Sequence, residues 1–201
     1  MSDKKFQPAA FGMGCFWGPD AMLGAQKGII RTRVGYAGGA KENPSYSAIG
    51  DHTETILVEC DPENISYIEL LELFWDNHHY RYGTRGKNQY ASRIFYTTQE
   101  QKKQAELSKA EKESEGEVAT EIQQLNFTVA EDYHQKYKLR HSKLMENFSE
   151  MSPEAFRDSP LAAKLNSYVA GHLDLKDIET FDLDVKPGLK DRLMNSARKF
   201  Y

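Results

Sequence analysis

The residue best suited to chemistry in this sequence is a cysteine bracketed by glycines, in the string GCFWG at residues 14–18. The apolar run at 9–13 is typical of a buried strand, and Pro19 fits the first turn of a helix, where N–H groups have no partner inside the helix. Cys15 is therefore predicted at a helix N-terminus, whose free N–H groups and dipole stabilise a thiolate. This position favours a nucleophile over the ordinary interpretation, a buried cysteine in an aromatic core.

A nucleophilic thiol needs a partner that handles protons, and Glu54 is the first candidate. It opens a predicted strand just after a turn, and burial beneath aromatic rings would raise its pKa enough for an acid at neutral pH. Tyr46 and Tyr90 lie beside predicted loop or strand ends, where a phenol can donate to an oxygen. Phe16 and Trp17 are placed to wall a pocket over the sulfur. An exposed carboxylate and packing tyrosines are the more common case for such residues, so their roles stay open at this point.

The six histidines do not form a metal-binding pattern. His78 and His79 are adjacent and so point apart, and neither C-x-x-C nor H-E-x-x-H spacing occurs. No metal is therefore expected. Cys60 ends a predicted strand and is interpreted as a buried or half-buried structural residue. The histidines considered are His52, His78, His79, His134, His141 and His172.

The elements that must position these residues follow a recognisable order. Up to residue 97 the order is strand, helix, strand, strand, helix, strand, which matches the split βαβ unit. The predicted fold is α+β: a two-layer, ferredoxin-like antiparallel or mixed sheet with helices, followed by a helical or irregular C-terminal extension. Hydrophobic patterning predicts strands at 9–13, 29–36, 54–60, 91–97 and 118–127, and helices from 19 to 24–28, from 66, at 99–115, at 130–148 and from 160.

Bulk properties exclude several classes of partner. A net charge of -4 with scattered basic residues gives no electrostatic basis for binding nucleic acid or acidic membranes. No apolar run is long enough to span a bilayer, and no apolar signal-peptide core follows the N-terminal residues. The two cysteines of such a chain are expected to be reduced thiols, so a cytoplasmic location is predicted.

The string at 14–18 resembles the active-site motif of the peptide methionine sulfoxide reductase A family. Further strings occur in the family's order, so the resemblance covers about residues 8–140. They are VGYAGG at 34–39, NPSY at 43–46, DHTE at 51–54, DP at 61–62, ISY at 65–67, FW at 74–75, QY at 89–90, TEI at 120–122 and AEDYHQ at 130–135.

The resemblance implies thiol-dependent reduction of methionine-S-sulfoxide, free or protein-bound, in the repair of oxidative damage. Cys15 would attack the sulfoxide sulfur and become a sulfenic acid, and Glu54 would protonate or hydrogen-bond the sulfoxide oxygen. Thiolate attack builds charge on oxygen, so donors must be aimed there. The remaining groups act in pairs: the phenols of Tyr46 and Tyr90 would donate to that oxygen, and the rings of Phe16 and Trp17 would hold the S-methyl group.

The sequence departs from the family pattern in two places. Arg85 stands where the family commonly has an Asp, five residues before the tyrosine of the QY pair, which puts that Asp's contribution in doubt. No cysteine follows Cys60, so the chain resembles a one-cysteine member. If Glu54 lies at the Cys15 pocket, Cys60 lies at the far end of its strand, about 20 Å away, too far to form a disulfide. No bound cofactor is expected, and the predicted reductant is an external thiol, either thioredoxin or glutathione with glutaredoxin.

Residues 1–150 are predicted to form the catalytic domain, with 151–201 as a C-terminal extension packing on the same domain, in a monomer. Two other classes of function compete with the reductase. A cysteine hydrolase or acyltransferase would use His134 or His141 as its base. A non-catalytic reader of oxidised methionine would keep the pocket without turnover. An assay with a chiral sulfoxide and dithiothreitol distinguishes the three.

Overall fold

The computed structural model describes residues 6–81 and 87–180, and beyond them residues 188, 191, 192, 194, 195 and 198. Helices accompany a mixed sheet of six strands, so the predicted α+β class is confirmed. The strands are β1 (Gln7–Met13), β2 (Ile29–Ala37), β3 (Thr53–Cys60), β4 (Ser92–Tyr96), β5 (Glu121–Gln124) and β6 (Phe127–Val129). The helices are α1 (Trp17–Gly24), α2 (Tyr67–Asp76), α3 (Gln99–Ser114), α4 (Tyr137–Arg140), α5 (Pro153–Arg157), α6 (Pro160–Val169) and α7 (Leu175–Thr180).

The strand order is β5-β4-β1-β3-β2-β6. Strand β1 is antiparallel to both β3 and β4, β2 is antiparallel to β3 and β6, and β5 is parallel to β4. The register pairs Tyr36 with Glu54 and Gln7 with Cys60. Glu54 therefore lies near the start of β3, at the end of the sheet where β1 leads into Cys15, while Cys60 lies at the opposite end.

The sheet is rolled. In a flat sheet of six strands the two edge strands would lie about 24 Å apart, at about 4.8 Å per neighbour. Yet β5 and β6 occupy opposite edges, and the chain from Gln124 to Phe127 extends at most about 11 Å. The edges must therefore approach each other. Gly38, just after β2, shows this contact, because a Cβ there would lie 2.8 Å from both the Arg93 and Gln123 side chains.

The two faces of the sheet bury different residues, as the alternation of side chains along a strand requires. Phe11, Val34 and Ile56 pack with the main core, which includes Leu70 and Phe74 of α2. The residues that face the inside of the roll form a smaller cluster of Ala10, Ala37 and Phe95, with Leu57, Leu125 and Phe127 packed against it. The inside of the rolled sheet thus has a small apolar core of its own.

The strand predicted at 118–127 is wrong as a single element. The amide of Leu125 still donates to the Tyr96 carbonyl, continuing the ladder of β4. Asn126 then turns the chain across to β2: its Oδ1 accepts from the Gly38 amide at 2.7 Å, and its Nδ2 donates to the Gly39 carbonyl at 3.0 Å. The side-chain bonds of one residue therefore divide the segment into β5 and β6.

The helix predicted at 130–148 is also wrong. The structure has a short 3-10 turn at Asp132–His134, then α4, then a 3-10 segment at Lys143–Phe148. The Gln135 side chain accepts from the Val34 amide at 3.0 Å and donates to the Val34 carbonyl at 2.9 Å. Lys136 follows in the left-handed region, with φ 53°. These bonds hold the backbone to the edge of β2, which a continuous helix would not allow.

Residues from Leu139 onward form a third apolar cluster, which includes Phe148, Phe156 and Leu165. Ser159 caps α6 through the Ala162 amide, as the Ser-Pro pair predicts. Helix α6 packs on both α1 and α4. Among the described residues, no helix has the length and apolar character needed to cross a bilayer.

Candidate active site

Cys15 lies in the turn between β1 and α1, as predicted, and is exposed to solvent. Gly14 before it has φ 83°, a conformation that residues with a Cβ rarely adopt. A Cβ on Gly14 would meet no atom within 4 Å, so backbone conformation, not space, calls for glycine here. The turn thus presents the sulfur at the surface, directly before the first turn of α1.

The helix N-terminus favours the Cys15 thiolate, as expected, but it does not decide the net direction of the pKa shift. Desolvation by the surrounding protein raises the pKa of Cys15, and the negative charge of Glu54 raises it further. The Trp17 amide and the positive charge of Lys138 act in the opposite direction. The helix terminus therefore does favour the thiolate, but the walls of the site and the neighbouring carboxylate outweigh it.

Glu54 is buried, with 1% of its surface exposed. Its Oε2 accepts from the Phe16 amide at 3.1 Å, and its Oε1 accepts from Gln89 Nε2 at 2.8 Å. Desolvation raises the pKa of Glu54, although both hydrogen bonds favour the charged form. The carboxyl is therefore held next to Cys15 and retains its proton to a higher pH than an ordinary glutamate does.

Tyr46 and Tyr90 lie on the open side of this pair, and 40% and 37% of their surfaces are exposed. Burial, the nearby charges of Glu54 and Cys15, and a hydrogen bond with Tyr46 raise the pKa of Tyr90. The Tyr90 phenol thus stays protonated at neutral pH and can donate a hydrogen bond. A cleft of about 530 Å³ opens beside Gly14 and Tyr90.

The two predicted aromatic residues lie at different depths. Phe16 is buried against Tyr36, with the ring centres 6.1 Å apart, whereas Trp17 is partly exposed. The Trp17 indole stacks on Tyr137 at 3.7 Å, with the ring planes 10° apart. Its Nε1 donates to His134 Nδ1 at 3.2 Å. Trp17 is therefore fixed on one face and at its polar edge, which leaves its other face available for a ligand.

His134 is a site residue for which sequence reasoning found only a different role, as the base of a hydrolase. Its ring is buried and lies 5.1 Å from the Phe16 ring and 4.7 Å from the Tyr46 ring. Burial lowers the pKa of His134, so the ring is neutral at neutral pH. Because Nδ1 accepts from Trp17, the proton belongs on Nε2, which has no hydrogen-bond partner in the described part of the chain.

Glu131 is the second residue that sequence reasoning missed. Its Oε2 accepts from the Tyr36 hydroxyl at 2.7 Å, and its Oε1 accepts from the Tyr46 amide at 2.9 Å. Burial acts to raise the pKa of Glu131, but these two bonds outweigh it and lower the pKa. Glu131 thus holds the Tyr46 loop against the sheet. The only signal for it and His134 is the AEDYHQ string at 130–135.

The other candidates lie elsewhere. Cys60 is buried, its Sγ donates to the Gln7 carbonyl at 3.1 Å, and burial raises its pKa to about 11. His78 bonds the Phe74 carbonyl and the Ser92 hydroxyl, and burial lowers its pKa to about 4, which indicates a structural role. Across the described residues, no group of three or more His, Cys, Asp or Glu side chains is placed to hold a metal ion.

Two further sequence predictions can be placed. His141 is exposed and its Nδ1 bonds the Tyr137 carbonyl, so neither it nor His134, which bonds Trp17, is set as a base for Cys15. Arg85, the residue in place of the family's Asp, lies outside the described residues.

Comparisons with known proteins show which family this chain is similar to. The model of the family described as peptide methionine sulfoxide reductase matches residues 7–164. A peptide methionine sulfoxide reductase of Drosophila melanogaster is 47% identical over 167 residues, covering 81% of this chain and 68% of its own length. A peptide methionine sulfoxide reductase MsrA of Methanococcus maripaludis (strain C5) is 39% identical over 153 residues, covering 71% of this chain and 98% of its own.

Solved structures are similar as well. The reduced form of Mxr1 from Saccharomyces cerevisiae superposes with a TM-score of 0.63 at 26% identity, covering 71% of this chain and 89% of that one. Methionine sulfoxide reductase A of Corynebacterium diphtheriae superposes with a TM-score of 0.59 at 28% identity, covering 70% and 77%.

Proposed function

The chain belongs to the peptide methionine sulfoxide reductase A family, and we propose that the sulfur of Cys15 carries its reaction. The protein is a peptide-methionine (S)-S-oxide reductase, an oxidoreductase that returns methionine S-sulfoxide to methionine in protein repair. One observation supports this placement of the site above the others: the Phe16 amide holds buried Glu54 beside the exposed one of the two cysteines.

The chemical step is a two-electron transfer between two sulfur atoms. The Cys15 thiolate attacks the sulfoxide sulfur while the sulfoxide oxygen takes a proton from Glu54. The S–O bond of the substrate then breaks as the oxygen becomes bonded to the Cys15 sulfur, which gives a sulfenic acid on Cys15 and the thioether of methionine. Cys15 is oxidised by two electrons and the substrate is reduced by two.

The protonation states of Glu54 and Cys15 are linked. Because its pKa is raised, Glu54 keeps its proton to a higher pH than an ordinary glutamate does, and the protonated carboxyl can act as an acid. The charged form of Glu54 raises the pKa of Cys15, so protonation of Glu54 removes that obstacle to the thiolate. The state with an acidic Glu54 and a nucleophilic Cys15 is therefore internally consistent.

The remaining residues bind the two substituents of the sulfoxide. Tyr46 and Tyr90 donate hydrogen bonds to the oxygen as charge develops there, and both hydroxyl-bearing side chains are partly exposed on the open side of Cys15. Phe16 and Trp17 hold the S-methyl group, and the free face of the Trp17 indole supplies most of the contact.

Regeneration of Cys15 falls to an external thiol, either thioredoxin or glutathione with glutaredoxin, and no bound cofactor takes part. The buried position of Cys60 supports this, because it pairs with Gln7 at the far end of β1 from Cys15. A disulfide requires Cα atoms within about 7 Å, and the length of β1 alone is about 20 Å. The thiolate of Cys60 is also disfavoured by its raised pKa.

The finer organisation forms part of the same proposal. The order β4-β1-β3-β2, all antiparallel, supports the ferredoxin-like split βαβ description of residues up to 97. The contacts of α6 with α1 and α4 support a single unit, with residues 1–150 as the catalytic part and 151–201 packing on it. The protein acts as a monomer in the cytoplasm, and its two free thiols fit a reducing compartment.

The test is an assay with the separated S and R epimers of a methionine sulfoxide peptide, with dithiothreitol as reductant. The wild type is expected to consume the S epimer and leave the R epimer, and Cys15→Ser is expected to consume neither, because an alcohol is too weak a nucleophile. Turnover by Cys15→Ser would overturn the placement of the site. Binding of the sulfoxide without turnover by the wild type would favour a reader, and cleavage of an activated ester would favour a hydrolase.

A further inference from the structure

A buried carboxylate links α1, the helix that follows the Cys15 turn, to helix α6. Asp20, in the first turn of α1, has none of its surface exposed. Its Oδ1 accepts from the Thr32 hydroxyl at 2.5 Å and lies 3.9 Å from Lys136 Nζ. Its Oδ2 accepts from the Lys136 amide at 3.2 Å and from Asn166 Nδ2 at 3.3 Å. A carboxylate with this many donors is satisfied only while all of these segments stay in place.

Helix α6 also holds the other end of α1. The buried ammonium of Lys164 donates to the Gly24 and Gln26 carbonyls, each at 2.8 Å. These carbonyls lie where the helix dipole places negative charge, so a cation is favoured there. The helices also approach closely, because a Cβ on Gly24 would lie 2.9 Å from Ser167 Oγ. Helix α6 therefore makes hydrogen bonds to both ends of α1.

The position of Asp20 bears on the groups around the sulfur. Its amide donates to the Phe16 carbonyl at 3.0 Å, one helical turn before it. The same turn supplies the Phe16 amide to Glu54 and the Trp17 amide that lowers the pKa of Cys15. A shift of Asp20 would thus move the two donors that set the geometry and charge of the site.

Asn166 joins this turn to the segment that supports the aromatic wall. While its Nδ2 donates to Asp20, its Oδ1 accepts from the Leu139 amide of α4 at 3.0 Å. Helix α4 begins at Tyr137, the ring on which Trp17 stacks. Asn166 is fully buried, and it lies beyond residue 164, where the match to the family model ends.

We propose that Asn166 is a positioning residue for Cys15, acting through Asp20 on α1 and through Leu139 on α4. Helix α6 is thereby required for the geometry of the active site, although none of its residues contacts the reacting atoms. This inference rests on the proposed function of Cys15 and assigns the part of the chain that supports it.

The experiment compares Asn166→Ala with Leu165→Ala, each in a Cys60→Ser background so that alkylation reports on Cys15 alone. Leu165 is the matched control, since it is equally buried on α6 but belongs to the third apolar cluster. The pH dependence of Cys15 alkylation by iodoacetamide gives the thiol pKa, and rapid quench gives the single-turnover rate. Melting curves fix a temperature at which every variant is folded.

Asn166→Ala is expected to raise the thiol pKa and to slow the single turnover about tenfold, because small misplacements of catalytic groups have large effects on rate. Leu165→Ala is expected to lose at least as much thermal stability while keeping both values near those of the wild type. Asn166→Ser, whose short hydroxyl cannot reach both partners, is expected to behave like Asn166→Ala, and serves if the alanine variant does not fold.

The inference is overturned if the Asn166 variants keep the wild-type thiol pKa and rate, or if Leu165→Ala changes both equally. An inactive wild type would instead contradict the proposed function. The alkylation measurement does not depend on turnover, so the two failures are distinguishable.

Discussion

The protonation state of Glu54 affects both groups that react with the sulfoxide. The carboxyl accepts two hydrogen bonds that favour its charge, yet burial still raises its pKa. Its charge also raises the pKa of Cys15 a short distance away. Burial of Glu54 therefore raises the pKa of the acid, and the charge of Glu54 influences how readily Cys15 forms the thiolate.

Glu54→Gln is expected to slow sulfenate formation by about two to four powers of ten, the usual contribution of a general acid, because an amide has no proton to give to the oxygen. A single-turnover measurement across pH tests this. The wild-type rate should fall as pH rises through the Glu54 pKa, and that dependence should be absent in the variant. Glu63→Gln, at an exposed position, is the control. An unchanged rate in Glu54→Gln would assign the proton to the tyrosines or to water.

The same substitution has an effect on stability with a definite sign. Because the folded-state pKa of Glu54 is raised, the folded state binds this proton more tightly than the unfolded state. The stabilisation from that proton is complete below the unfolded pKa and is lost as pH rises through the folded pKa. The stability of Glu54→Gln relative to wild type is therefore expected to improve from pH 5 to pH 8. Chemical denaturation at both pH values measures it, and a constant or opposite difference would contradict the buried, protonated carboxyl.

His134→Phe keeps an aromatic ring but removes the acceptor that holds Trp17 Nε1. The expected result is a several-fold increase in KM for the sulfoxide with a smaller change in kcat, since a hydrogen bond contributes about 1 kcal/mol and the indole serves binding of the methyl group. Steady-state kinetics beside His172→Phe, at an exposed position, tests it. A loss confined to kcat would mean that His134 contributes to the chemical step and not to substrate binding through Trp17.

At the scale of elements, β6 depends on a glycine in β2. A Cβ at Gly35 would lie 2.3 Å from the Thr128 carbonyl oxygen and 2.5 Å from the Phe127 ring. Gly35→Ala is therefore expected to destabilise the protein by roughly 2 kcal/mol or more, since neither neighbour can move freely. Gly18→Ala is the matched comparison, because a Cβ there meets nothing within 4 Å and alanine favours a helix by about 1 kcal/mol. Equal stabilities for the two variants would contradict the close approach of β6.

The elements that sequence patterns predicted correctly are those with local causes. The Ser66–Glu69 capping box of α2 is readable from neighbouring residues and is present, and β3 forms as predicted. The predicted alternation of burial holds only from Ile56 to Cys60, because the first half of β3 is buried on both faces. The segment at 130–148 failed because Gln135 and Lys136 turn inward to bonds with β2 and α1, which no local pattern reveals. The single strand at 118–127 failed for a similar reason, the long-range bonds of Asn126.

The residues of the candidate site likewise fall into those that local sequence identifies and those that depend on long-range contacts. A motif was enough to single out Cys15, and its neighbours in sequence gave the aromatic wall. Glu131 and Asp20 act through partners far away in the chain, Tyr36 and Asn166 among them, so no spacing rule identifies them. The net rise of the Cys15 pKa also escaped prediction, because it depends on how closely the folded protein surrounds the sulfur.

At the scale of the whole molecule, the rolled sheet separates the two cysteines. Strand β1 runs from the partner of Cys60 at one end to the Cys15 turn at the other. Cys60 is buried with a raised pKa, so it is neither close enough nor reactive enough to resolve a sulfenic acid. The fold thus leaves the oxidised Cys15 exposed at the surface, where an external thiol has access.

The most direct test of this account is mass spectrometry of the enzyme after treatment with the S epimer of a methionine sulfoxide peptide and no reductant. The expected product carries one oxygen on Cys15, trapped as a dimedone adduct, with Cys60 unmodified. Addition of glutathione should convert Cys15 to a mixed disulfide, and Cys60→Ser should give the same products at the same rate. An intramolecular disulfide between Cys15 and Cys60, or an unmodified Cys15 after methionine has formed, would contradict the central claim.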